Sequence, residues 1–528
     1  MTMVMGRRAA ACPRYAVGLD CVSQIVPVTE FVRRRPFLAI VALALLLGLA
    51  FQGSRGLWEP DEGRYTNVAL QMLHSGDYVT LQRNDVALHF TKPPVTYWAI
   101  AASVHSLGRN EWAVRLPMAL AYILSILLVY DLGRRFVPTR PWLPALVFAT
   151  SPVVFLAANS VNTDTVLAAT ETLAMACYVR ERFAGGRRLW LDAMWAGFGL
   201  AFLTKGPPAL LPLLVVLAFE ASGPDRWSRL RRVFGRPIGL LAFAIIGFTW
   251  FAMVIRLHPG LLDYFLGHEV YARIATAELR RFPQWYGPFV VYLPTLVLGT
   301  LPWLLLALPR LSERWRTDRV LQDPQLRFLW IWFALPLLVF CLARSRLPLY
   351  VLALFVPVSL LIARALSGLR FSRVGVVLVG MWIVLLLGVK LGAAMWVSDK
   401  DGRVFADKLR PMLPGKPDQI LFVEDMTRNG LNLYFDSRIY RISFKHQPRM
   451  MSDSSYDETV AESLAMPGSH RVFIMKREVE GFFLDALRAS GKQPVRLGEI
   501  DDARKRKLRD RVIYTVAGDF PETTTPRN

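Results

Sequence analysis

The sequence predicts a polytopic α-helical membrane protein with a soluble α/β domain at its C-terminal end. Of its 528 residues, 53% are hydrophobic, and long uncharged runs that each suit a bilayer recur up to residue 396. Charge of both signs returns after that point, and no further apolar run follows. We therefore expect a basic tail over 1–35, a transmembrane region over 36–396 and a soluble domain over 397–528.

The apolar runs divide into eleven candidate spans, and short or broken helices would bring the count to about 11–13. The first run has charged flanks like those of a signal peptide, but its apolar length and the spans that follow favour an uncleaved anchor. The predicted segments are 36–52, 117–133, 141–158, 163–179, 190–203, 207–221, 237–256, 289–308, 328–343, 347–363 and 374–396.

The arginines gather in short loops between alternate spans. Short cytoplasmic loops are enriched in Lys and Arg, so these loops are expected to face the cytoplasm. The net charge of +22 therefore reflects membrane topology, and it does not indicate a nucleic-acid partner. By parity, the opposite loops and the domain over 397–528 lie outside. The basic loops are 134–135, 180–188, 226–236, 310–319 and 364–373.

The first outer loop, over 53–116, is too long for a simple connection and has helical periodicity. Over residues 64–74, apolar and polar side chains occupy opposite faces, as in a helix that lies flat on a membrane. A second helix begins near Pro94 and ends at Gly108. The expected polar face of the first helix contains Arg64, Asn67, Gln71 and His74.

Within this loop, the stretch 58–65 places two carboxylates, Asp61 and Glu62, at the outer membrane surface beside Arg64 and Tyr65. Carboxylates near hydrocarbon are costly, which favours a role in chemistry or ligand binding. The alternative is that both acids simply complement the positive end of a helix dipole. The local sequence alone leaves both interpretations open.

Three further outer motifs carry charge at the ends of helices. Lys92 precedes the helix start at Pro94, where free backbone amides and an ammonium group suit a phosphate; the alternative is a lysine that reaches the interface from an apolar surface. Asp164 begins the fourth span, as a site residue or as a helix cap. Arg346 and Tyr350 open the tenth span, and Arg346 is either a topology outlier or a second phosphate partner.

The region over 397–528 has the alternation of short strands at 419–423 and 471–475, with a helical pattern at 480–487. This combination predicts a small sheet with helices on one or both faces. The region is long enough to carry its own hydrophobic core.

Cysteine and metal-ligand patterns add little. The four cysteines, Cys12, Cys21, Cys177 and Cys341, lie in the tail and in spans, so they offer the outer domain no disulfide framework, and metal-type spacing is absent. No cofactor is expected. A divalent ion between the two outer carboxylates stays open, although no local ligand triad supports it.

Six short motifs occur in a fixed order along the membrane region, at 61–65, 92–94, 110–117, 162–164, 203–207 and 345–350. In this order they resemble the bacterial lipid A aminoarabinose transferases and the related protein O-mannosyltransferase-like enzymes, membrane glycosyltransferases of the GT-C class. The resemblance covers roughly residues 36–365.

The resemblance implies an inverting glycosyltransferase that moves a sugar from a polyprenyl (undecaprenyl) phosphate carrier. The acceptor would be lipid A, lipopolysaccharide or another envelope component at the periplasmic face of the bacterial inner membrane. It implies Asp61 as base or orienting group and Asp164 as the second carboxylate. The implied phosphate ligands are Lys92, Arg273, Arg346 and Tyr350, and the further site candidates are Glu62, Arg64, Tyr65 and Lys205.

The sequence departs from this family at two positions that matter for the donor. Thr91 stands where the aminoarabinose enzymes usually have a glutamate, and Arg346 stands where they usually have a lysine. Because that glutamate is a natural counter-ion for an amino sugar, the donor sugar stays open. The oligomeric state also stays open.

Two other functions compete with a glycan-directed or lipid-directed transferase. A protein O-glycosyltransferase would use the same class of donor. A polytopic transporter would also have many spans, but its polar residues are expected near the middle of the membrane and in paired broken helices, whereas those of this chain cluster at one surface.

Overall fold

The computed structural model describes residues 34–272, 281–317, 322–369, 372–396, 398–447, 456–466, 470–501 and 510–521. Each of the eleven predicted spans coincides with a helix or with a pair of helices. The described α-helices of at least six residues before the C-terminal domain are α1 (Pro36–Leu49), α2 (Asp61–Ser75), α3 (Val95–Leu107), α4 (Glu111–Phe136), α5 (Trp142–Ala149), α6 (Pro152–Ala157), α7 (Thr163–Ala184), α8 (Leu189–Lys205), α9 (Leu211–Ala221), α10 (Arg226–Phe234), α11 (Pro237–Leu257), α12 (Gly287–Gly299), α13 (Trp303–Thr317), α14 (Pro324–Leu342), α15 (Phe355–Leu366) and α16 (Arg373–Met395).

Several predicted spans are broken. Within the described ranges, five helices are long and apolar enough to cross a membrane by themselves: α4, α11, α14, the continuous stretch Pro348–Leu366 that contains α15, and α16. The pair α12 and Trp303–Arg310 meets the same criterion as one unit bent by 91°. Pro152 begins α6 and divides the predicted segment 141–158 in two, because proline lacks the backbone N–H that would continue the preceding helix. The protein is a multi-pass membrane protein.

The two helices of the outer loop lie where the periodicity predicts them, and Gly108 ends α3. The expectation of a water-facing polar face on α2 is wrong for Asn67 and Gln71. Asn67 donates to the Arg83 carbonyl at 2.7 Å and accepts from Asn432 at 2.7 Å, while Gln71 donates to Asp85 at 3.0 Å. Asn67 is therefore buried against the C-terminal domain and Gln71 against the outer loop itself, whereas His74 of the same face is exposed.

The C-terminal domain is an α/β fold, as predicted. Its strands form one sheet in the order β3-β2-β1-β4-β6-β5, in which the first four are parallel and β6 runs antiparallel to both of its neighbours. The elements are α17 (Gly402–Leu409), β1 (Gln419–Val423), α18 (Leu431–Phe435), β2 (Arg438–Ser443), β3 (Glu458–Thr459), α19 (Val460–Ala465), β4 (Arg471–Lys476), α20 (Glu480–Ala489), β5 (Pro494–Ile500) and β6 (Arg511–Val516).

Both faces of this sheet are covered by apolar side chains. Ile420 and Phe422 of β1 belong to one buried cluster, and Leu421 and Val423 belong to the other. Successive strand residues point to opposite faces, so this short apolar strand supplies two cores at once.

The C-terminal domain packs directly on the outer loop. The Leu57 carbonyl accepts the Gly402 N–H at 2.7 Å, and the Glu59 N–H donates to the Lys400 carbonyl at 2.8 Å. These backbone bonds fix the chain just before α2. Ion pairs tie the same two regions at Arg83–Asp457 (2.8 Å), Arg109–Asp436 (2.9 Å) and Arg403–Glu111 (2.7 Å).

Candidate functional site

A cavity of about 330 Å³ lies between the outer loop and the membrane helices. Its walls are mainly apolar, with phenylalanines from α8 and α11 and from the segment that follows α11. Polar groups line it as well, so the cavity suits a ligand with a long apolar part and a charged head. Its polar lining residues are Thr91, Lys92, Lys205, Glu269, Ser345 and Tyr350.

Lys92 lines this cavity from the loop before α3. Its ammonium group lies 3.6 Å from the carboxylate of Glu269 and donates to the Thr91 carbonyl at 2.7 Å. The side chain is therefore turned into the protein rather than extended along an interface. This geometry favours the ligand-binding interpretation of Lys92, which stays a prediction.

Lys205 is the second cation of the cavity and forms an ion pair with Asp164. It is the last residue of α8, and Gly206 follows with a φ of 73°, a conformation that favours glycine and turns the chain sharply. The ammonium group lies 4.6 Å from the centre of the Tyr350 ring. Asp164, Lys205 and Tyr350 thus form one group.

Asp164 does not cap α7. That role belongs to Asn162, whose side chain accepts the Thr165 N–H at 2.8 Å. Asp164 is therefore available for its ion pair with Lys205. The helix-cap interpretation of Asp164 is wrong, while its catalytic role stays a prediction.

Asp61 lies at the start of α2 with its side chain 68% exposed, and it forms an ion pair with Arg64 at 2.6 Å. The Arg64 guanidinium lies 5.3 Å from the centre of the Tyr65 ring. Burial raises the pKa of Tyr65, and the negative charges of Asp61 and Asp164 act in the same direction. Both candidate carboxylates therefore lie near this one tyrosine, and Asp61 is the one that is open to solvent.

Glu62, the other predicted acid, is buried and fully paired. Its carboxylate accepts from Arg55 at 2.5 Å and from Arg115 at 3.0 Å, and it also accepts the backbone N–H of Trp58 and of Val161. Burial opposes ionisation, but the two guanidinium groups outweigh it and lower the pKa of Glu62 to about 2. Glu62 thereby joins the start of α2 to the segment just before α7, and so links the segments that carry Asp61 and Asp164.

Arg346 has a different environment from the other predicted phosphate ligands. It is 4% exposed and does not line the cavity. Its guanidinium donates to the carbonyls of Phe282 (2.6 Å), Gln284 (2.9 Å) and Cys341 (2.9 Å). These bonds give Arg346 a structural role, and its contact with a donor phosphate stays a prediction. Arg273 lies outside the described residues.

Sequence reasoning missed several residues of this region. Arg55 and Arg115 form the Glu62 cluster, and Glu269 pairs with Lys92. A signal for Arg115 existed, because a charged side chain next to a predicted span is expensive unless it is paired. No such signal exists for Glu269, because nothing in the sequence around it indicates that its side chain contacts Lys92.

Glu59 occupies a slot between α2 and the C-terminal domain. Its carboxylate accepts the Gly430 N–H at 2.5 Å. A Cβ atom at Gly63 would lie 2.3 Å from both carboxylate oxygens, and one at Gly430 would lie 2.8 Å from the nearer oxygen. Burial raises the pKa of Glu59 to about 8. The carboxyl group is therefore neutral at pH 7 and holds the domain against the outer loop.

Stability is expected to fall as pH rises towards 8, and Glu59→Gln is expected to reduce that dependence. The folded pKa of about 8 exceeds the ordinary value of 4.5, so the contribution of Glu59 is complete below about pH 4.5 and is lost as pH rises through 8. The full effect is up to about 5 kcal/mol. Melting temperatures of both proteins across this range measure it. If the melting temperatures of the two proteins change with pH in parallel, the proposed contribution of Glu59 is contradicted.

The described residues contain one group of three acids close enough to share a metal ion: Glu499, Asp501 and Asp510, in the C-terminal domain. None of the three lines the apolar cavity. Asp164, which is paired with Lys205, is not part of this group. The need for a divalent ion therefore stays open.

Residues 91–255 match the sequence model of the family described as dolichyl-phosphate-mannose-protein mannosyltransferase. An undecaprenyl phosphate-alpha-4-amino-4-deoxy-L-arabinose arabinosyl transferase 2 of Pseudomonas fluorescens is 33% identical over 339 residues, which is 62% of this chain and 59% of the relative. The corresponding transferase of Pectobacterium atrosepticum is 31% identical over 375 residues, or 69% of this chain and 65% of the relative. The matches thus span less than two thirds of these relatives.

Two crystal structures of ArnT from Cupriavidus metallidurans are similar to this chain along nearly their whole length. The apo structure has a TM-score of 0.72 and 21% identity, and the match covers 94% of this chain and 100% of that one. The structure bound to undecaprenyl phosphate has a TM-score of 0.69 and 21% identity, with coverage of 92% and 99%. The likeness establishes a shared fold, including the C-terminal domain.

Proposed function

We propose that this chain, which has the GT-C fold and resembles the lipid A aminoarabinose transferase-like family, is an inverting glycosyltransferase that uses a polyprenyl-phosphate-linked sugar. The apolar cavity with two lysines in its lining carries the proposal. An isoprenoid chain matches the apolar walls, and the phosphate matches the cations. The acceptor is a lipid A, lipopolysaccharide or other envelope component.

The reaction requires a displacement at the anomeric carbon of the sugar. An acceptor oxygen forms a bond to that carbon, and the bond from the carbon to the carrier phosphate oxygen breaks on the opposite side. The phosphate leaves with the electron pair, and a carboxylate takes the acceptor proton. Lys92 and Lys205 stabilise the charge that develops on the phosphate.

The two carboxylates near Tyr65 have different tasks in this scheme. Asp164 is held by Lys205 and orients that lysine. Asp61 is solvent-exposed and therefore meets an acceptor that arrives from outside. We assign the base to Asp61 and the positioning of Lys205 to Asp164.

Protein is the second candidate acceptor, because the family model over residues 91–255 describes a protein mannosyltransferase. Purified protein incubated with a radiolabelled polyprenyl phosphate sugar separates these cases by where the label goes. Label in a glycolipid supports the first function, and label in protein supports the second. Absence of transfer to either acceptor, with and without a divalent ion, would contradict both.

Lys92→Ala is expected to reduce transfer by about 2 to 4 kcal/mol in the transition state, since it removes a cation that faces developing charge. Folding should change little, because Lys92 and Glu269 both line the cavity, where water can hydrate the carboxylate that remains. Donor saturation kinetics and melting in detergent measure the two effects.

Arg346→Ala is expected to affect folding, in contrast to Lys92→Ala. Its side chain is buried and holds three carbonyls, so we expect a large drop in melting temperature. A Lys92 variant that melts early and keeps normal kinetics would remove Lys92 from the site.

The outward orientation predicts the reactivity of single cysteines in a background without the four native ones. Ser75→Cys in the outer loop and Ser490→Cys in the C-terminal domain should react with an impermeant thiol reagent applied to spheroplasts. Ser228→Cys in α10 should react only after lysis, because its loop is rich in arginine. All three positions are exposed in the structure. Labelling of Ser228→Cys in intact spheroplasts would reverse the orientation.

A further inference from the structure

The C-terminal domain contains a topological switch point. After β1 the chain passes through α18 to β2 on one side of the sheet, and after β4 it passes through α20 towards β5 on the other side. β1 and β4 are parallel neighbours, so their carboxyl ends lie side by side, and the space just outside these two ends is the switch-point crevice. In open α/β sheets this is the place where ligands bind.

The backbone at this edge is strained. Glu424, the residue directly after β1, has a φ of 48°, which is unusual for a residue with a side chain. Its carboxylate is held by the Phe444 N–H at 3.0 Å and by the Tyr456 hydroxyl at 2.8 Å. Strain that the surroundings hold in place is concentrated at functional sites.

Positively charged side chains lie at this same edge of the sheet, beside the carboxyl ends of β1 and β4. Asp425, which is 4% exposed, pairs with Arg511 at 2.8 Å and with Lys476 at 3.5 Å. Both cations keep part of their side chains accessible, at 20% and 27%. The buried Asp425 carboxylate thus pairs with both partly exposed cations, and Lys476 has a second partner in Glu478 at 3.7 Å.

Arg428, in the loop after β1, adds a third cation. Among the described residues it has no carboxylate within ion-pair distance; it donates to the Asp399 carbonyl at 2.6 Å and lies 4.3 Å from the Phe405 ring centre. Burial and the like charge of Arg511 lower the pKa of Arg428 to about 10. Arg428 follows Asp425, the ion-pair partner of Arg511, by three residues, and a guanidinium group without an ion-pair carboxylate beside a paired one can receive an anion.

We propose that the switch-point crevice of the C-terminal domain binds a phosphate group, with Arg428 and Arg511 as its main ligands and Lys476 at its edge. The phosphate is either free or part of an envelope glycolipid. Arg428 is two residues from Gly430, which holds Glu59 before α2. A phosphate bound in the crevice is therefore expected to affect the position of the outer loop that carries Asp61. The proposal does not depend on the proposed sugar transfer.

Equilibrium binding of radiolabelled inorganic phosphate to the purified full-length protein, at constant ionic strength, tests this site. Arg428→Gln is expected to weaken binding about tenfold or more, since it removes a charge-assisted hydrogen bond. Lys476→Gln, which keeps the Arg511–Asp425 pair, is expected to weaken it less. Arg410→Gln is the matched control, because Arg410 also lies over an aromatic ring of this domain, at 5.6 Å from the Phe435 centre.

The cavity lysines offer a second phosphate site, so Lys92→Ala is measured in parallel and is expected to keep the crevice binding. A phosphorylated glycolipid that competes with phosphate, while its dephosphorylated form does not, identifies a headgroup ligand. If unlabelled inorganic phosphate displaces the radiolabel and the phosphorylated glycolipid does not, the ligand is a free anion. Wild-type affinity in both Arg428→Gln and Lys476→Gln, with normal melting, would overturn the proposal. So would the absence of phosphate binding in Lys92→Ala.

Discussion

Replacing Asp61 by Asn is expected to reduce sugar transfer about 100- to 10,000-fold, the range that a general base contributes. The change keeps the shape of the side chain and removes its charge. Asp61 is 68% exposed and its ion-pair partner is the neighbouring Arg64, so folding should be nearly unaffected. Turnover with a labelled carrier-linked donor and melting in detergent measure the two quantities separately.

Asp407→Asn is a matched control for this change. Asp407 is 60% exposed and pairs with Arg410 three residues later, as Asp61 pairs with Arg64, but it lies in the C-terminal domain. We expect normal turnover from the control. Near-normal turnover in Asp61→Asn would reduce Asp61 to an acid at a helix start. A loss smaller than about 100-fold would indicate an acceptor that needs little deprotonation, such as a phosphate monoester.

Glu62→Gln is expected to destabilise the protein by about 3–5 kcal/mol, because it leaves the guanidinium groups of Arg55 and Arg115 buried without a counter-ion. Transfer should be lost with it, because the start of α2 and the segment before α7 are no longer joined. Chemical denaturation or melting in detergent measures the first effect and turnover below the melting temperature measures the second.

The pH dependence of stability is an independent test of the contribution of the Glu62 carboxylate to folding. Its folded pKa of about 2 lies below the ordinary 4.5, so its contribution is present above about pH 4.5 and is lost as pH falls towards 2. Glu62→Gln should therefore be less sensitive to acid than the wild type.

Asp131→Asn is the control for the loss of an ion pair as such, because its partner Arg180 is 35% exposed and the pair contributes at most about 1 kcal/mol. Equal destabilisation by Asp131→Asn and Glu62→Gln would show that the Glu62 cluster has no special role.

The sequence alone determined most of the elements of this protein. Apolar runs predicted the helices of the eleven spans, and Pro94 and Gly108 marked the ends of α3. The break at Pro152 was not predicted, and α10 lies in a stretch that was predicted as a basic loop. Strand alternation predicted β1 and β4. Such patterns are readable because helices and strands form from interactions between residues close in the chain. The resemblance also directed attention to Lys92, Asp164 and Lys205, which belong to one region of the structure.

The roles within that region were decided by tertiary structure. Asp61 and Glu62 are adjacent and chemically alike, yet one is exposed and the other is enclosed by two arginines. Arg346 carries the same charge as Lys92 but holds backbone carbonyls.

Glu59 bonds to Gly430 across 371 positions of the chain. Ionisation and hydrogen bonding depend on burial and on partners far away in sequence, and only the folded chain brings those partners together.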